Sequence, residues 1–269
     1  MIYQSISHLK KYNNSNELKL YMATRERIDF HRICMFPYDI LLMIEEDGGS
    51  DESFIYCREK DVRHPLRQNR FYFVPIGMSV EYCLRPNLKY DTFHVGFEVS
   101  PGIDLFSSCR QITMGEAGPW LPEIDRIYRE PDEFLALCRF RELLLRFFIS
   151  HWPDKNLPDT NIPENFRELM EYIKIQSDAT MTVETLADRV GMTPEAFSRK
   201  FHRLIKMPPK KFVSKCLLEK ISSRLCDPGK SIKAIARELN FSSEFYLSRF
   251  FKKQMGISPS IYKKMGEKG

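Results

Sequence analysis

The stretch EAFSRKFHRLIKMPP, Glu195 to Pro209, returns fifty residues later as FYLSRFFKKQMGISP, Phe245 to Pro259, with serine, arginine, phenylalanine and proline in the same places. An internal echo restricts the fold more than any total does, because both copies must bury the same face. Phe197 meets Leu247, Ser198 meets Ser248, Arg199 meets Arg249, Phe201 meets Phe251, Pro209 meets Pro259 and Phe212 meets Tyr262. Upstream, Thr193 meets Ser243 and Ala187 meets Ala236.

Start and stop signals turn each copy into a pair of helices. Thr182 caps VETLADRV, which Gly191 ends. Thr193-Pro194-Glu195 then supplies a capping hydroxyl, a proline at the first helical position and a carboxylate near the positive helix end. The helix that follows buries Phe197, Phe201, Leu204 and Ile205. Pro208-Pro209 opens a long helix to about Cys226, which Asp227-Pro228-Gly229 stops. Ser231 caps IKAIAREL, Asn240 ends it, and Ser243 caps the second echo. A short helix, a turn and a second helix make the helix-turn-helix arrangement, in which the second helix enters the DNA major groove. Small Ala187 and Ala236 let the first helix approach closely. A connecting helix of 19 residues, Pro208 to Cys226, would be about 28 Å long at ~1.5 Å per residue. Successive major grooves on one DNA face lie ~34 Å apart, within reach of two heads on such a rod.

With the apolar residues inside, Glu195, Ser198, Arg199 and His202 share the outer face of the first reading helix, and Phe245, Ser248, Arg249 and Lys252 that of the second. Arginine bonds guanine bidentately, serine is an adaptable partner, and an exposed phenylalanine touches a thymine methyl. Lys200, Arg203, Lys206, Lys210, Lys211, Ser243 and Lys253 are expected at phosphates, where they add affinity without sequence information.

Charge agrees with this division. From Thr160 onward there are 21 Lys+Arg against 12 Asp+Glu, a net of +9; the remaining 20 and 24 give −4 for residues 1 to 159. One half is drawn to a polyanion and the other is not. The change of sign falls at HWPDKNLPDTNIPE (151–164), whose three prolines and polar run read as a linker. The expected domains are therefore residues 1–150, a linker over 151–163, and a helical domain over 164–269.

Before the linker, ILLMI (40–44), SFIYC (53–57), RFYFV (70–74), SVEYCL (79–84) and DTFHVGFEV (91–99) alternate with turn-rich segments, the pattern of a β-barrel or sandwich. PDEFLALCRFRELLLRFFISHW (131–152) then reads as one helix whose apolar residues cover more than one face, buried against its own barrel and against another helix or a second subunit. The seven scattered cysteines form no C-x-x-C pair and read as reduced, packed thiols. No apolar run approaches the ~20 residues that cross a bilayer, and MIYQSISHLKKY is not a signal peptide; the expected location is cytoplasmic, with no membrane partner.

The segment ADRVGMTPEAFSRKF (187–201), with IKAIARELNFSSEFYLSRFFK (232–252) and GISPSIY (256–262), resembles the AraC/XylS family of transcription regulators. The resemblance covers roughly the last hundred residues. Two positions depart from it: Asn240 stands where the family usually has glycine, and Lys206 occupies the place that Gly256 fills in the second copy. From Lys206 we expect a less tightly turned end of the first reading helix. The resemblance implies an α+β multidomain protein: an N-terminal cupin-like barrel that senses a small molecule, helices that pair two subunits, and a C-terminal all-α domain with two helix-turn-helix units. It also implies double-stranded DNA, a second copy bound through helix 131–152, and RNA polymerase as partners, with activation of transcription as the outcome. RFYFVPIGMSVEY (70–82) looks like a cupin turn, but Val80 stands where enzymatic cupins place a metal-binding histidine. With no H-x-H or H-x-x-E among the six histidines, neither metal nor cofactor is expected. A ligand in the barrel would meet Tyr38, Tyr82 and His94, with Arg32, a set suited to a sugar. Two rival readings are a cupin-type metal enzyme with a helical appendage, and an adaptor whose basic helices bind protein.

Overall fold

Strand alternation sets the first layer of the fold in the computed structural model, which describes residues 17–27, 29–49, 51–151 and 162–266. The strands are β1 (Glu17–Glu26), β2 (Phe30–Cys34), β3 (Asp39–Glu46), β4 (Phe54–Cys57), β5 (Val62–Pro65), β6 (Arg70–Val74), β7 (Val80–Leu84), β8 (Lys89–Ser100), β9 (Ile103–Asp104) and β10 (Thr113–Glu116). One sheet runs β1-β8-β3-β6-β10, with β9 on β8, and the other runs β2-β7-β4-β5. The helices α1 (Leu121–Tyr128) and α2 (Glu133–Ser150) follow. The result is an N-terminal β-sheet domain whose two sheets, among the described residues, do not join into a continuous ring.

Successive residues of a strand face opposite sides. In β6 and β8 this sends Phe71, Phe73 and Phe93 toward α2, where they meet Phe147 at 4.9 Å and 6.4 Å and Phe140 at 5.0 Å. Their neighbours face the other way: Tyr72 donates to the Pro65 carbonyl at 2.6 Å, and His94 stacks on Tyr38 at 4.9 Å. β3, covered on both sides, is buried from Asp39 to Ile44, which is why it reads as a continuous apolar run. α2 begins where Asp132 accepts from the Leu135 amide. It buries Phe140, Leu143, Leu144, Phe147 and Phe148, while Phe134, Leu135, Leu145 and Ile149 remain exposed.

The chain divides into two compact units. One comprises Leu20–Val95 and Ser108–Asn156; the other comprises Leu157–Glu267 with Gly96–Ser107 and the chain before Leu20. The expected linker falls mostly on residues 152–161, outside the described residues. The second unit holds α3 (Glu164–Gln176), α4 (Val183–Arg189), α5 (Pro194–Ile205), α6 (Pro209–Leu225), α7 (Ile232–Glu238), α8 (Glu244–Met255) and α9 (Pro259–Gly266). Within it the 96–107 segment is held closely. Lys215 donates to the Gly102 carbonyl at 2.8 Å, and Glu98 accepts from Lys174 at 2.6 Å and pairs with Lys19 at 2.8 Å. Gly102 has φ +70° and lies so near the Phe212 ring that an added Cβ would sit 2.2 Å from it.

Candidate nucleic-acid interface

Four hydroxyl caps build the two helix-turn-helix units. Thr182, Thr193, Ser231 and Ser243 each accept from an amide in the first turn of α4, α5, α7 and α8, satisfying a donor that would otherwise lack a partner. Ala187 and Ala236 are buried. Under α5, Phe197 and Phe201 pack 5.5 Å apart and both face Phe166 of α3, while Phe212 of α6 meets Phe201 edge-on at 5.4 Å. Under α8, Leu247, Phe251 and Met255 are buried and Tyr262 closes on Phe251 at 5.4 Å. Leu204 and Ile205 are half-buried rather than fully inside.

Helix ends differ from expectation in two places. α6 spans 17 residues, so the rod is about 26 Å rather than 28 Å at ~1.5 Å per residue. The end of α5 is not looser than that of α8. Lys206 takes the left-handed conformation at φ 57° and its amide bonds the His202 carbonyl at 2.9 Å; Gly256 does the same at φ 78° with Lys252. A lysine therefore bears a strain that glycine avoids.

Asn240, the other departure, is also left-handed at φ 55°. Its amide donates to Asp178 at 2.7 Å, and beside it the Ala179 amide bonds the Leu239 carbonyl at 2.9 Å. Burial alone would raise the Asp178 carboxyl, but donors from Asn240 and Thr180 hold it below the usual range. The turn before α4 is thus tied to the end of α7, joining the two helix-turn-helix units directly. A glycine at 240 would lack that side chain.

On the outer faces Glu195, Arg199 and His202 of α5 are exposed, as are Phe245, Arg249 and Lys252 of α8; Ser198 and Ser248 are half-buried. Arg203, Lys206, Lys210, Lys211 and Lys253 are exposed. Lys200 lies 4.9 Å over the Phe166 ring, and the Ser243 hydroxyl already accepts from the Tyr246 amide. Lys210 borders a groove of about 610 Å³ with Asp178, Thr182, Glu184, Phe241 and Phe250. Tyr246, 59% exposed with the Arg249 guanidinium 6.0 Å from its ring, escapes an alignment of the two copies because its counterpart in the first is Ala196. Other cations are occupied structurally: Lys220 donates to the Ile175 and Ser177 carbonyls at the C-terminal end of α3, and Arg224 and Lys230 both pair with Glu238.

In the β-sheet unit, Tyr38, Tyr82 and His94 are buried and come together through Phe36, which lies 5.6, 5.8 and 5.4 Å from them. Tyr21 stacks on Tyr38 at 5.0 Å. Arg32 is exposed on β2. Burial lowers His94 to about 3, so its imidazole is neutral at neutral pH. The P-x-G turn is held by hydrogen bonds: the Ile76 amide donates to Asp39 at 2.7 Å and the Gly77 amide to the Phe36 carbonyl at 3.0 Å. Among the described residues no group of three His, Cys, Asp or Glu side chains is arranged to hold a metal, and no helix is long and apolar enough to cross a membrane.

Residues 186–265 match a family model described as a helix-turn-helix domain. The chain is similar to the raffinose operon transcriptional regulatory protein of Pediococcus pentosaceus, 22% identical over 217 residues, covering 75% of this chain and 78% of that protein. It is 24% identical over 170 residues to the melibiose operon regulatory protein of Escherichia coli, covering 59% and 55% of the two chains. Among solved structures, ToxT from Vibrio cholerae O395 aligns over 92% of this chain and 97% of its own, with a TM-score of 0.58 at 14% identity.

Proposed function

We propose that the protein is a DNA-binding transcription regulator of the AraC type that works in the cytoplasm as a homodimer whose β-sheet domain binds a sugar-like effector. The observation that carries the reading is the pair of outer faces on α5 and α8. They share a buried scaffold but present Glu195, Arg199 and His202 in one case and Phe245, Arg249 and Lys252 in the other. In this reading Ser198 and Ser248 join them at base edges. Arg203, Lys206, Lys210, Lys211 and Lys253, with Lys200 and the Ser243 hydroxyl, face phosphates.

In this reading residues 1–150 and 164–269, joined by the 151–163 linker, act as the sensing and DNA-binding domains, although Gly96–Ser107 belongs to the compact unit of the helices. Dimerisation uses the uncovered side of α2, where Phe134 and Ile149 are 75% and 70% exposed. The effector reading rests on the aromatic group of Tyr38, Tyr82 and His94, residue types that stack on and hydrogen-bond to sugars, with Arg32, exposed on β2, as its fourth member. The kinship with raffinose and melibiose operon regulators points to the same class of ligand. Effector binding changes the balance between at least two arrangements of the heads by its differential affinity for them, and RNA polymerase is the partner that reads the outcome. The protein carries out no reaction of its own.

The test is selection of bound sites from random duplex DNA, with and without raffinose, melibiose and other sugars. A single enriched site, occupied differently when one sugar is present, supports the reading. Binding that is equal on all sequences refutes it.

A further inference from the structure

We infer that Phe245 and Tyr246 form an apolar reader of thymine methyl groups at the start of α8, so that the second head recognises its half of the site largely by methyl contact and the first by polar contact. The inference rests on α8 being a DNA-contacting helix and says what chemistry it recognises there. Both side chains lie in the first turn of a 12-residue helix capped by Ser243. Phe245 is 73% exposed and Tyr246 is 59% exposed. The corresponding positions of α5 hold Glu195 and Ala196, so the feature belongs to one head alone.

Two adjacent large aromatics left in water forgo the stabilisation that burial would give them. The same helix has no shortage of apolar anchors, because Leu247, Phe251 and Met255 already fill the interior. The exposed pair is therefore not needed to anchor the helix to its interior and is available to a ligand. In the major groove the apolar group on offer is the C5 methyl of thymine. Arg249 sits 6.0 Å from the Tyr246 ring, so the pair also borders the residue best suited to a guanine. The expected target for α8 is a guanine beside one or two thymines.

Replacing thymine by uracil removes the methyl and leaves every base-pairing hydrogen bond, which makes it the direct probe. Each thymine of the selected site is changed to uracil in turn, and affinity is measured for the parent, Phe245→Ala, Tyr246→Ala and the double variant. For the parent we expect about a fourfold loss at one or two positions, the scale of one methyl removed from apolar contact, all within the half of the site that Arg249→Ala affects. In the double variant uracil and thymine sites should bind alike. Uniform binding of uracil and thymine sites by the parent overturns the inference while leaving the regulator reading intact, as does a uracil penalty that survives in the double variant. Failure to enrich any site overturns both readings together.

Discussion

Exchanging Lys206 for glycine, and Gly256 for lysine, tests whether the two helix ends are equivalent. A side chain in the left-handed region costs ~1–2 kcal/mol, whereas glycine loses ~0.5–1 kcal/mol more backbone entropy on folding. Both positions are left-handed, at φ 57° and 78°, and both amides close on the carbonyl four residues back at 2.9 Å. The difference of the two effects leaves Lys206→Gly about 0.5 kcal/mol more stable, and Gly256→Lys less stable by a similar or larger amount. Urea unfolding followed by far-UV circular dichroism, with amide hydrogen exchange at the ends of α5 and α8, reads both. DNA binding should move the other way for Lys206→Gly, losing one phosphate contact and about 0.9 from the slope of log affinity against log salt. Loss of stability of about 0.5 kcal/mol or more in Lys206→Gly would refute the claim of strain at this position.

Burial holds the folded His94 near 3, below its ordinary value of about 6.5. The unfolded chain therefore binds a proton that the folded one does not, and stability is intact above about pH 6.5 and falls as pH drops below it. At pH 5 the loss is about 2 kcal/mol, seen as a lower unfolding midpoint that His94→Gln should flatten. Gly102→Ala adds a Cβ 2.2 Å from Phe212 at a positive φ, which should cost about 2 kcal/mol or more by denaturant unfolding. Gly49→Ala, at φ +69° with nothing within 4 Å, should lose only about 1 kcal/mol. Phe134→Glu with Ile149→Glu should convert a dimer to a monomer in sedimentation while changing monomer stability by less than about 0.5 kcal/mol.

The helical half was legible because its signals are local. Caps, breakers and the repeat fixed α4, α5, α7 and α8 to within a residue or two, since each cap bonds an amide three positions away. The strands with long apolar runs were legible too. β1, β2, β5, β9 and β10 were not among the runs read from the sequence; VRHP and TMGE, for instance, are short, carry little apolar signal and exist by pairing with β4 and β6. The attachment of Gly96–Ser107 to the helical unit depends on Lys215 and Lys174 more than 70 residues away, a distance at which no periodicity helps. At the interface, repeat alignment found residues both copies share and passed over Tyr246, which only one copy has. The sequence shows that Asn240 stands where the family usually has glycine, but not that its side-chain amide donates to Asp178, 62 residues away.

Two heads on one rod, reading unlike sequences in adjacent grooves, is the central claim. Its most direct test is a base-by-base substitution profile of the selected site with the parent, Arg199→Ala and Arg249→Ala. Each variant should lose ~1–3 kcal/mol and relax specificity in its own block, with the two blocks centred about 10 base pairs apart and unlike in sequence. Relaxation of the same positions by both variants, or of none, would contradict it.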